Sequence, residues 1–253
     1  MTKNAIVYGG AGSLGAAVAA ALAQDGCTVH LVGRTRDTLD TAARTIGTDA
    51  RVAVLDALDE AAVDAHVEAV TAAGTLDVSI NLISRGDVQG VPLTELATDD
   101  LMRAVDTGLR SNFVTARAAA RVMAGQGHGS IVHLNSASGA GAMPGMGSTG
   151  PADAAIEAFY RYLAAEVGPS GVRVNGIWTA GVAESLTREK LRAVVGDGAP
   201  EPEVALRMIA AGAALRRTPR LADVVGAVRF LAGPHSSGMT GTMLNVTCGL
   251  VLR

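Results

Sequence analysis

Short runs of β-branched and aliphatic residues alternate with longer, Ala-rich amphipathic stretches from one end of the chain to the other. The short runs fall at residues 5–8, 28–32, 51–55, 78–83, 130–135, 173–178 and 243–246 and read as strands. The stretches between them, at 14–24, 36–46, 60–73, 99–124, 152–167 and 222–231, read as helices. Strands alternating with helices at this spacing predict a parallel sheet wound on both faces, because parallel neighbours need a crossover connection. The expected fold class is therefore α/β: a doubly wound, Rossmann-type parallel sheet forming one domain over residues 1–253. Two stretches break the rhythm: the glycine-rich run 139–150 and an insertion-like segment from 182 to about 217, which is expected to act as a substrate loop. Both follow strands and would shape the carboxyl edge of the sheet, where open α/β folds bind ligands.

Composition narrows the picture. The 253 residues are 49% hydrophobic but only 3% aromatic, which suits helices packed on a parallel sheet. A net charge of -3 supplies no basic field for nucleic acid. The Ala-rich run 16–23 is far short of the roughly 20 apolar residues of a membrane span. Nothing at the amino terminus reads as a signal peptide, so no membrane partner and a cytoplasmic location are expected. Cys27 and Cys248 have no CxxC or His-rich companions, and no metal site is expected.

The chemistry begins after the first strand, in Tyr8-Gly9-Gly10-Ala11-Gly12-Ser13-Leu14-Gly15, where a helix opens at once. Glycines let the backbone turn sharply and approach a pyrophosphate, whose charge meets the free N–H groups and positive dipole end of the helix. The strand before and the helix after turn a weak GxGxxG at Gly10, Gly12 and Gly15 into a dinucleotide signal; the alternative is a plain glycine-rich turn. The second strand ends at Val32-Gly33-Arg34-Thr35-Arg36, with no carboxylate for a ribose 2′-hydroxyl and with guanidinium groups suited to a 2′-phosphate. NADP(H) is favoured over NAD(H), unless Arg34 and Arg36 form only a solvated helix start.

The order of these motifs resembles the short-chain dehydrogenase/reductase family over nearly the whole chain. Gly9 and Gly15 match the outer glycines of that family's TGxxxGxG, with Tyr8 at its Thr and Ser13 at its middle Gly. Asp56 matches the acid used on the adenine amine, and Asn81, followed by Leu82, Ile83 and Ser84, matches the first Asn of NNAG. The resemblance implies a cofactor-binding set of Gly9, Gly12, Ser13, Leu14, Gly15, Arg34, Thr35, Asp56, Ala57, Asn81 and Ile83. GSIVHLNSASG at 129–139 places Ser136 at the family's catalytic serine. Where the family carries Tyr-x-x-x-Lys this chain has Thr149 and Asp153, its tetrad Asn falls on Gly108, and the Pro-Gly after the sixth strand falls on Thr179-Ala180.

These replacements alter the implied chemistry. In the family a tyrosine exchanges the substrate proton, and a lysine ammonium lowers its pKa and holds the nicotinamide ribose. A threonine hydroxyl stays protonated at neutral pH, and a carboxylate in place of the ammonium inverts the local sign. Ser136, Thr149 and Asp153 are the candidate catalytic residues, with Arg85 placed to polarise a carbonyl and Asp153 to act as a base or grip ribose hydroxyls. A purely structural reading is also open: Pro151 at the first helical position, Gly150 or Thr149 as the cap and Asp153 in the first turn would rebuild a helix start. Three functions follow. The chain is an NADP(H)-dependent oxidoreductase with an atypical proton donor acting on a small carbonyl, imine or alkene. Alternatively it is a catalytically silent binding or partner protein, or a non-redox cyclase, dehydratase or isomerase on the same scaffold. By resemblance, association as a homodimer or homotetramer through helices 99–124 and 152–167 is expected.

Overall fold

The computed structural model describes residues 2–47, 50–72 and 74–252. Its sheet is built from β1 (Lys3–Tyr8), β2 (Thr28–Gly33), β3 (Ala50–Val54), β4 (Thr75–Asn81), β5 (Gly129–Ser136), β6 (Val172–Thr179) and β7 (Met243–Val246). The strands lie in the order β3-β2-β1-β4-β5-β6-β7, and every pairing is parallel. The order reverses between β1 and β4, where Tyr8 pairs with both Val32 and Asn81. Chains leaving β1 and β4 there diverge to opposite halves of the sheet and open a crevice at the carboxyl edge.

Two helical layers close the sheet. Along β1, Ala5 and Val7 point into a core shared with α1 (Ser13–Gln24), α2 (Arg36–Ile46) and α8 (Leu221–Ala232). Ile6 and Tyr8 point the other way, toward α3 (Glu60–Ala72), α4 (Thr98–Gln126) and α5 (Thr149–Val167). The period-2 alternation of a strand sends neighbouring side chains to opposite layers, which is why β1 reads Ala5-Ile6-Val7 without a polar break. The long α4 ends at Gly127, whose φ of +78° lets the chain turn back into β5.

All seven expected strands are present, with bounds shifted by three residues or fewer. The expected last residue of the third helix, Ala73, lies outside the described residues. Two expectations need correction. The segment 182–217 is not irregular throughout: it contains α6 (Arg188–Val195) and α7 (Pro202–Gly212), opened by Thr187, whose hydroxyl accepts from Lys190 N, and by Pro202. The start of α5 also differs. The helix begins at Thr149 with Ser148 at the cap, so Pro151 stands third, still among the N–H groups that have no acceptor within the helix. Asp153 is consequently not in the first turn but a turn further in, facing the sheet and buried.

Candidate active site

The turn from β1 into α1 can be made only by glycine. Gly9 has a φ of +78°, and a Cβ there would lie 2.7 Å from Leu82 O; a Cβ on Gly15 would lie 2.3 Å from Gly9 O. This close approach folds the turn under the helix and leaves Gly12 as a cap without a side chain. No acceptor among the described residues reaches the N–H groups of Ser13, Leu14 or Gly15. Three free amides at the positive end of a helix, in a groove of about 560 Å³, fit a diphosphate. Gly9, Gly12, Ser13, Leu14, Gly15, Arg34, Thr35, Asp56, Ala57 and Ile83 all line this groove.

Within the groove Arg34 forms no ion pair among the described residues, whereas Arg36 turns toward Asp40 at 3.9 Å. Asp56 is exposed and accepts the Leu58 N–H at 3.0 Å through one oxygen, which fixes the turn after β3. Asn81 sits behind the groove. Its amide donates to Thr115 Oγ1 at 3.1 Å and its oxygen accepts the Ile83 N–H at 3.0 Å, so it shapes the β4 exit from inside the protein. One groove residue gave no signal in the sequence: Lys190 reaches from α6 to donate to Ser13 Oγ at 3.3 Å, across 177 positions of chain.

At the end of β5, Ser136 caps a 3₁₀ turn, Ala137–Gly139, by accepting the Ser138 N–H at 3.0 Å. Asp153, with no exposed surface, packs beneath that turn. Its Oδ2 accepts from Ser136 N at 3.2 Å and from Ser138 Oγ at 3.1 Å, and Ser136 Oγ and Ser138 Oγ are in direct contact. Its Oδ1 lies 2.6 Å from Arg85 Nη2, off the axis of a well-formed hydrogen bond. Arg85 also donates through Nε to Asp87 Oδ1 at 2.9 Å. Burial raises the Asp153 carboxyl above the ordinary aspartate range, against the opposing pull of Arg85 and the two serines. Burial works to lower Arg85, but Asp153 and Asp87 outweigh it and raise its affinity for the proton.

Gly108 makes this pair possible. A Cβ there would lie 2.7 Å from Arg85 Cδ and 3.2 Å from Ile156 Cδ1, so any larger residue on α4 would displace the arginine. Of the three candidate catalytic residues, the structure joins Ser136 and Asp153 in one network. Thr149 stands apart: it is buried and its Oγ1 accepts from Gln89 Nε2 at 2.9 Å. No tyrosine takes its place. Tyr8 and Tyr160 are core residues whose phenol groups burial pushes further from ionisation, and Tyr160 donates to Asn112 Oδ1 at 2.8 Å. Tyr162 is exposed. The chain's two lysines are Lys3, at the start of β1, and Lys190.

Beside this network lies a cavity of about 830 Å³, formed by residues 90–94, 138–147 and the first turns of α5. Ser138 stands at its inner wall, and Val91, Leu93, Met143 and Met146 are among its apolar lining; no charged side chain among the described residues lines it. Its loops are tied together: Gly90 N donates to Gly145 O at 2.7 Å, and a Cβ on Gly147 would meet Val88 O at 2.0 Å.

Known proteins share the fold. A family model described as enoyl-(acyl carrier protein) reductase matches residues 9–251. The short-chain reductase protein NovJ of Streptomyces niveus is 33% identical over 251 residues, covering 97% of this chain and 92% of its own. Among solved structures, an NAD+-bound xylitol dehydrogenase superposes with a TM-score of 0.86 at 27% identity, covering 98% of each chain. The actinorhodin polyketide ketoreductase with NADPH superposes at 0.84 and 25% identity, covering 98% and 97%. A seven-stranded parallel sheet with its crevice at the β1–β4 switch, a glycine turn with free helix amides and a family match from 9 to 251 establish that the chain belongs to the short-chain dehydrogenase/reductase family of oxidoreductases.

Proposed function

We propose that this protein is an NADP(H)-dependent oxidoreductase that acts on a small, uncharged, mainly apolar carbonyl compound, imine or activated alkene, with a proton donor other than tyrosine. The observation that carries the proposal is the diphosphate cradle: a glycine turn packed too closely on backbone for larger residues at Gly9 and Gly15 leaves three helix amides open to the groove. Arg34, free of any carboxylate among the described residues, supports the choice of a 2′-phosphate. The apolar cavity supports the substrate class, because an ionised substrate would lose hydration there without gaining a partner.

The bound nicotinamide supplies or accepts hydride. The chain's own residues would do the rest: Ser13, Leu14 and Gly15 would hold the diphosphate, Asn81 fixes the Ile83 backbone at the groove, and Ser136, at the end of β5, would orient the substrate oxygen. Segment 182–217 covers the phosphate end through Lys190. Exposed Met102, Phe113 and Tyr162 on α4 and α5 support association into a homo-oligomer through those helices.

One observation favours the silent binding-protein reading. Arg85 pairs with Asp153, and separately Gln89 with Thr149, without any ligand. Titration calorimetry tests the cofactor assignment. NADPH is expected to bind, NADH at least about tenfold more weakly, and Arg34→Ala is expected to erase the difference, worth about 1.4 kcal/mol. Equal affinity for both nucleotides in the unaltered chain removes the NADP(H) assignment, and binding of neither removes the oxidoreductase reading.

A further inference from the structure

Among the described residues, one hydroxyl meets the buried carboxylate, the serine of the β5 exit and the apolar cavity together. Ser138 Oγ donates to Asp153 Oδ2 at 3.1 Å and touches Ser136 Oγ, and Ser138, itself buried, lines the cavity. A serine hydroxyl has one donor and two acceptor positions, so when Asp153 carries a proton the Ser138 contact reverses, the hydroxyl accepting from Asp153 Oδ2 while giving its own proton into the cavity. Backbone fixes it in that role: the Ser138 N–H donates to Ser136 Oγ at 3.0 Å, and the Ser136 N–H donates to Asp153 Oδ2 at 3.2 Å. Asp153 itself has no exposed surface and cannot meet a substrate, yet its second oxygen faces Arg85 at 2.6 Å. That guanidinium, admitted by Gly108, offsets the negative charge that appears when the carboxyl gives up its proton.

We propose that Ser138 is the proton-delivering catalytic residue of this site and that Asp153 is the acid behind it, held in place by Arg85. The inference rests on the oxidoreductase reading above and supplies the donor it lacks. In the reducing direction the substrate oxygen takes the Ser138 Oγ proton as the neighbouring carbon gains hydride from a reduced nicotinamide, which ends oxidised. Ser138 takes the Asp153 Oδ2 proton in the same movement. The products are an alcohol and an Asp153 carboxylate paired with Arg85, and solvent later returns the proton.

Three charged groups among the described residues surround Asp153. Arg85 comes from the β4 exit, with Asp87 behind it; Glu157 lies one turn further along α5 and is linked through Asn135, whose amide donates to Asp153 O at 3.1 Å and to Glu157 Oε1 at 3.4 Å. Burial raises the Asp153 carboxyl, so it keeps its proton to a higher pH than an exposed aspartate, while Arg85 and the two serines pull the other way.

Infrared difference spectroscopy on the unliganded full chain, with pH stepped upward from the acid range, tests the proposal. A carbonyl stretch of a protonated carboxyl is expected to outlast those of the exposed carboxyl groups, to be missing in Asp153→Asn and to be displaced in Ser138→Ala, which keeps every charge. Should Asp153→Asn not fold, the Ser138→Ala displacement makes the assignment. Absence of the late band, or its indifference to both substitutions, overturns the proposal. With NADPH and cyclohexanone as the probe, Ser138→Ala is expected to lose about 10²–10⁴-fold in kcat, as removal of a general acid does, while Ser138→Thr retains activity. The rate should fall as pH rises through the Asp153 titration. Unchanged turnover in Ser138→Ala overturns the relay. A chain that shows the late band but binds no NADPH by calorimetry instead overturns the oxidoreductase reading, leaving the carboxyl–hydroxyl pair without that use.

Discussion

At the scale of single residues, the Arg85–Asp153 pair decides how much the site tolerates change. Its side chains are 11% and 0% exposed, so water does little to screen Arg85, or Asp153 once it has given up its proton. Such an ion pair contributes little net stability when intact, but removing one member strands the other in a dry interior. Above the pH at which Asp153 ionises, Arg85→Ala is therefore expected to destabilise the fold by about 3–5 kcal/mol. Arg85→Met combined with Asp153→Leu should recover most of that loss, as measured by urea denaturation. Gly108→Ala tests the same contact from the other side. Its new methyl would press on the flexible Arg85 side chain rather than on backbone, at a cost of about 1–3 kcal/mol. A Gly108→Ala chain as stable as the parent would mean that Arg85 has room to move aside without leaving Asp153. The sign for Asp153 follows from its raised carboxyl: its contribution to stability is present below the ordinary aspartate value and is lost as pH rises through the folded one.

At the scale of elements, the reach of α6 carries a consequence for nucleotide binding. Lys190 is delivered to Ser13 at the positive end of α1, where a cation is unfavourable by roughly 0.3–1 kcal/mol until an anion joins it. Lys190→Ala should leave the melting temperature of the free chain unchanged or slightly higher, and should weaken NADPH binding by roughly tenfold, the worth of one charge-assisted hydrogen bond. Calorimetry beside thermal unfolding reads both; a fall in stability with unaltered affinity would make Lys190 a packing residue. The same helix marks the limit of what the sequence discloses. Strand β1 was legible because burial on both faces forces an unbroken aliphatic run, the edge strands β3 and β7, which bury no residue fully, only because aliphatic residues still cluster there, and the diphosphate turn because Gly9 and Gly15 have no substitute. Helix α6 is short and buries no residue fully, and its apolar positions Leu191, Val194 and Val195 span little more than one turn, too little to stand out as a period. Ser136 and Asp153 were legible as positions, but their partnership through Ser138 depends on a 3₁₀ turn that periodicity does not reveal. Gly108 read in the sequence only as a missing asparagine, and the arginine that fills its space comes from another element.

At the scale of the whole molecule, acid stability turns on a histidine inside the sheet–helix layer. His133 on β5 stacks on Tyr160 of α5, with ring centroids 3.9 Å apart and planes 4° from parallel, and it is 2% exposed. Burial lowers its pKa to about 3, outweighing a weak contact with the Asn175 backbone. A histidine depressed in this way contributes stability that is fully present above its unfolded value of about 6.5 and is lost as pH falls toward 3. The shift corresponds to a loss on the order of 4 kcal/mol across that window, a large share of a typical domain's margin. Asp153, raised rather than lowered, works in the opposite direction and cannot account for an acid limb. Replacing His133 by Phe keeps an aromatic ring against Tyr160 while removing the group that must charge. The His133→Phe chain should unfold at a distinctly lower pH than the parent when circular dichroism is followed through an acid titration, and its denaturation midpoint should change less between pH 7 and pH 4. Identical acid limbs in the two chains would move the origin of acid unfolding away from this layer, to the histidine–asparagine contact at the β1–β2 end of the sheet, where His30 meets Asn4 at 3.1 Å and burial holds its pKa near 4.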